Sequence, residues 1–126
     1  MNLNPISHGF PRPLLVALKF TGAADVDASG FTINVGSALI KSVTKTGTTE
    51  GGITITPKFK FNQVVFLAAP IATLKTKEIV KVSDDGSVPE ILLSSYIASD
   101  HSTASDADGD VIEMALLFNL SIADAK

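Results

Sequence analysis

Between Val111 and Ile122, apolar residues fall on every second position: Ile112, Met114, Leu116, Phe118, Leu120 and Ile122. A strand sends alternate side chains to opposite faces, so this spacing predicts a strand with one wholly apolar face. The other face carries Val111, Glu113, Ala115, Leu117, Asn119 and Ser121, a mixture suited to partial cover rather than to full burial or open water. Met, Ala and Leu favour helices, but unbroken alternation bounded by Asp108-Gly109 favours the strand.

The same reading extends upstream. Leu14 to Phe20 is a compact apolar strand, Thr21 to Gly30 is loop and turn, and Phe31, Ile33 and Val35 alternate with Thr32 and Asn34 as a half-buried strand. Leu39 to Thr46 and Ile53 to Thr56 form a hairpin about the Gly47 to Gly52 turn, with Pro57 ending it or placing it at an edge. Val64 to Ala69 is apolar on both faces and is expected to be the most buried strand. After Pro70, Ile71 to Val82 alternates with interruptions, and Asp84-Asp85-Gly86-Ser87 supplies the turn of a further hairpin. Val88 to Ile97 fits either a strand or one short helix, and Asp100 to Gly109 is a polar loop. Short strands spaced by about 10 residues predict an all-β fold, an antiparallel β-sandwich or barrel-like domain of about seven to eight strands.

Met1 to Pro13 breaks this rhythm, because Pro5, Pro11 and Pro13 come without hydrophobic periodicity. It is expected to be an extended N-terminal arm ahead of a single β domain over residues 14–126. Leu3, Ile6 and Phe10 would gain nothing in free water, so they are the expected assembly contacts, against the domain's own core edge or a neighbouring subunit.

Composition narrows the classes. A chain of 126 residues accommodates one domain with a real core, and 45% hydrophobic against 18% charged residues excludes intrinsic disorder. Its apolar runs fall far short of the ~20 residues a helical membrane span needs, so no membrane partner is expected. The opening Met-Asn-Leu-Asn-Pro lacks the basic and apolar regions of a secretory signal, so export by that route is not expected. With no cysteine, disulfides, thiolate-bound zinc and thiol catalysis are excluded. The net charge of -3 conceals an asymmetry: seven lysines against Glu50 and Glu78 between Lys41 and Lys81, then nine acids against Lys126 alone from Asp84 onward. No arginine and few aromatics accompany these lysines, so specific nucleic-acid binding is not expected. They are read as solvent-facing guards of strand edges, with complementary faces in an assembly as the other possibility.

Candidate chemistry is sparse. His8 and His101 are expected to be exposed, and Asp100-His101-Ser102 places triad residue types in a row whose side chains should point apart. Asp106, Asp108 and Asp110 are weak calcium candidates, but Gly109 precedes the third aspartate and Leu117 stands where an EF-hand needs its bidentate acid, so a solvated turn is the preferred reading. Gly47 to Gly52 lacks phosphate-loop spacing. No cofactor or enzymatic activity is expected. A host-surface or glycan-binding module of the tail-fibre or adhesin type is the alternative, and an exposed Tyr96 flanked by accessible Phe59 and Phe61 would favour it.

The run Ser42-Val-Thr-Lys-Thr-Gly-Thr48 followed by Ile53-Thr-Ile-Thr56 resembles a hairpin that recurs in small β-rich virion structural proteins of tailed bacteriophages. That resemblance implies a non-enzymatic structural protein located in the virion and assembled in the host cytoplasm. A capsid decoration or cement protein is the role it implies first. It implies as partners further copies of the chain, in a homo-oligomer, and the major capsid protein or another virion protein.

Overall fold

Alternation along the chain is translated into two packed layers. The structure, a computed structural model, describes residues 13–22, 31–47, 50–74, 77–85, 90–107 and 109–120, with the backbone alone for 81–85. Strand β1 (Pro13–Gly22) pairs with β2 (Phe31–Val35) on one side and with the last strand, β8 (Val111–Leu120), on the other. The long edge strand β5 (Phe61–Ala72) completes a sheet of order β2-β1-β8-β5. The second sheet has the order β3-β4-β7-β6, built from β3 (Ile40–Lys45), β4 (Gly52–Pro57), β6 (Lys77–Asp85) and β7 (Glu90–Ile97). Every pairing is antiparallel, and the eight strands form a β-sandwich.

The core lies between the inner faces. Val16, Leu18 and Phe20 of β1 and Ile112, Met114, Leu116 and Phe118 of β8 are buried there, opposite Val43, Ile53, Ile55, Ile91 and Leu93 of the second sheet. Phe59 and Phe61 meet Phe118 edge-on, with ring centroids 4.8 and 5.2 Å away, a favoured aromatic geometry. Each fully buried side chain of this size contributes about 1.5–3 kcal/mol. The chain passes from the first sheet to the second at Gly36, whose carbonyl accepts from the Leu39 and Ile40 amides. A Cβ there would stand 2.7 Å from the Ala17 carbonyl oxygen, and its φ of +103° lies outside the range of other residues, so glycine is required twice over.

The alternation of the last strand as far as Leu120 and the Leu39 to Thr56 hairpin agree with the structure, with Ser121 and Ile122 outside the described residues. In the Phe31 to Val35 strand Phe31 and Ile33 are half-buried as expected, but Val35 is exposed, beyond a register shift between Lys19 and Phe20 of the partner strand. Val88 to Ile97, open between helix and strand, provides β7. Pro57 is the last residue of β4, an interior strand, so it ends that strand rather than marking an edge. Two expectations are corrected. Val64 to Ala69 is not the most buried strand: it belongs to β5, an edge strand in which only Phe61, Val64 and Ala72 are buried. Its second apolar face lies outside the sandwich, where no layer of the described residues packs. Nor does Pro70 end β5; the strand continues to Ala72 and turns at Thr73-Leu74. An edge strand tolerates a residue that cannot donate to a ladder.

Candidate functional site

Of the seven large apolar side chains exposed among the described residues, five, Leu15, Val35, Val65, Leu67 and Ile71, lie on strands of the first sheet. Backbone register aligns the outer face of this sheet in rows across β1, β8 and β5. Leu15, Leu117 and Val65 form one row, and Ala17, Ala115 and Ala68 form the next. Flanking these are Pro13, Asn119 and Gln63 at one end and Lys19, Glu113 and Ile71 at the other, where the Lys19 ammonium lies 3.2 Å from the Glu113 carboxylate. Two rows without charge thus lie between Asn119 and Gln63 at one end and the Lys19–Glu113 pair at the other. Leu117 is buried between its neighbours, but Leu15, Leu67, Ile71 and Leu74 each expose more than half of their surface.

The apolar character continues around β5. No charged residue occurs from Phe61 to Leu74, and the register against β8 shifts after Phe61, after Phe66 and after Ala68, irregularities of the kind that bend a strand. Contiguous apolar surface rimmed by polar groups marks interaction sites. The sequence conceals this face because Val64 to Ala69, apolar on both sides, reads as an interior strand. The signal that could have located it is Pro70, which argues against a central strand.

Between β5 and β6 runs a shallow groove of about 390 Å³, lined by Pro70, Ile71, Ala72, Lys77, Glu78, Ile79 and His101. His101 sits at φ 59° in a turn closed by its amide on the Ile97 carbonyl, 3.0 Å, and its Nδ1 bonds the Glu78 carboxylate. That hydrogen bond, reinforced by the charges of Glu78 and Asp100, lifts the imidazole above its ordinary range despite some loss of hydration. Asp100 bonds to Ser102 and Thr103 instead. The Ser102 amide, the Thr103 hydroxyl and the Thr103 amide hold its carboxyl down at about 2. His101 thus turns to Glu78, and Asp100 meets Ser102 through its backbone amide, so the three do not assemble as a triad.

The acidic loop is likewise divided. Asp106 Oδ2 accepts from Lys45 Nζ at 2.7 Å and Oδ1 from the Gly51 amide at 2.8 Å, pinning the loop to the β3–β4 hairpin. Burial raises the pKa of Asp106, but these two hydrogen bonds and the charges of Lys45 and Lys77 outweigh it and hold the carboxyl below the usual range. Asp110 is buried, and its Oδ1 accepts from the Thr73 hydroxyl and the Leu74 and Val111 amides. Such donors suit a carboxylate, not a cation. Among the described residues no cluster of three acids or histidines could hold a metal ion. Asp108, His8 and the assembly candidates Leu3, Ile6 and Phe10 lie outside the described residues.

Two of the three aromatics considered for a sugar platform are spent on packing, since Phe61 is buried and Phe59 packs on Phe118. No protein-family model, curated protein or solved structure matches the chain.

Proposed function

We propose that this chain is a non-enzymatic structural subunit of a tailed-bacteriophage virion, a capsid decoration or cement protein that strengthens the shell by laying an apolar sheet face on neighbouring protein. The observation that supports this reading is the pair of uncharged rows on the outer face, Leu15-Leu117-Val65 and Ala17-Ala115-Ala68. A lone domain gains nothing by keeping such a face in water, whereas a subunit that buries it on assembly gains about 25 cal/mol for each Å² covered. The resemblance of Ser42 to Thr56 to a virion hairpin supplies the setting. The major capsid protein and further copies of this chain are the partners it would meet there.

Electron microscopy of the source particle tests the proposal. The chain is expected on the outside of the shell with this face against its neighbours, and particles stripped of it are expected to open at lower temperature. Density confined to tail fibres, with shell stability unchanged, would replace this reading with the host-surface alternative.

A further inference from the structure

We infer that the outer face of β1, β8 and β5 receives residues 1–12 of a second copy of this chain, so that copies are joined by exchanged segments. This rests on the reading of the chain as an assembling subunit and names what covers its apolar face. Three features select the occupant. The 12 residues ahead of Pro13 carry Leu3, Ile6 and Phe10 and no charged side chain before Arg12, which matches the uncharged rows they would cover. Extended, they reach up to about 40 Å, several times the ~10 Å that separates β1 from β5 across the sheet. Leu3 and Ile6, about 9 Å apart in a polyproline conformation, would meet strands two apart.

The prolines favour a neighbour's face over a subunit's own. Phe10 and Arg12 each precede a proline, which restricts both to extended conformations. A turn centred on Pro11-Arg12 would need Arg12 near the bridge region or at positive φ, the one disfavoured before proline and the other unfavourable for arginine. A reversal at Pro11-Arg12 is therefore disfavoured, which favours a neighbour's face over the subunit's own.

Because the protein has no cysteine, introduced thiols report contacts without background. A full-length chain carrying Ile6→Cys is mixed with one carrying Ala17→Cys and oxidised; a disulfide-linked heterodimer is expected, and none when the second cysteine replaces Lys41 on the other sheet. The chain carrying both Ile6→Cys and Ala17→Cys is expected to link between copies. Leu15→Lys and Leu67→Lys, at exposed positions, should weaken self-association at least about tenfold in sedimentation while the fold melts cooperatively as before. A purely intramolecular link in the double variant, or self-association indifferent to the lysines, overturns the inference. Neither result involves a particle, so the proposed shell-strengthening role stands or falls separately.

Discussion

Lys45 and Asp106 form an ion pair 2.7 Å long in which both side chains are largely covered. The basic middle of the chain and its acidic end thus meet within one molecule, and at this point the charge asymmetry works to fix a loop. Glu50 adds to the junction by accepting the Asp106 amide, and Lys77 donates to Ser105 at 2.8 Å.

Removing one partner should cost more than the pair contributes, because the other is left under cover without its countercharge. Asp106→Ala is expected to lower unfolding free energy by about 2–3 kcal/mol in urea titration, and Lys45→Met combined with Asp106→Ala by less than the sum of the single changes. Strict additivity would show that the two side chains are not coupled. Since the folded state depresses the Asp106 pKa, its contribution is present above the unfolded value near 3.9 and lost as pH falls through the folded value.

Asp110 holds three donors with one oxygen, while its Oδ2 is buried with no partner among the described residues. Asp110→Asn keeps an acceptor for those donors and should cost little, about 1 kcal/mol. Asp110→Ala orphans all three and should cost about 3 kcal/mol or more. Equal losses would show that the carboxylate's charge is what matters.

Gly51 and Gly47 separate backbone strain from collision. Both have positive φ, +73° and +55°, but a Cβ on Gly51 would lie 2.4 Å from the Ser95 carbonyl oxygen, whereas one on Gly47 meets nothing within 4 Å. Gly47→Ala should therefore cost about 1 kcal/mol and Gly51→Ala about 3 kcal/mol or more, read by thermal or chemical denaturation.

The His101 imidazole should titrate above its ordinary 6.5 in proton NMR, and Glu78→Gln should bring it back down. A pKa raised by folding contributes stability that is fully present below the unfolded value and is lost as pH rises through the folded one. An unshifted titration in the native protein would mean that Glu78 and His101 are not paired in solution.

Metal removal gives a further check on the acidic loop. With Asp106 bound to Lys45 and Gly51, and Asp110 Oδ1 occupied by hydroxyl and amide donors, a chelator should leave the melting temperature unchanged. A chelator-dependent fall in melting temperature would reinstate calcium.

From the sequence alone, period-two alternation determined which residues share a face, as Ile112, Met114, Leu116 and Phe118 do, and turn chemistry determined the Leu39 to Thr56 hairpin. Both are local, because alternation and turn geometry depend on near neighbours. What lies opposite a face is not local. The apolar residues of β5 read as interior because alternation does not record that β5 pairs with β8 alone, a strand about fifty residues later, and so ends a sheet. Long-range pairing also decided that Glu90 to Ile97 is a strand, since it is held between β4 and β6. The same holds for the polar loop. Asp106 and Asp110, four residues apart, are drawn to Lys45 and Thr73 on different parts of the sandwich, a separation that only the tertiary structure imposes.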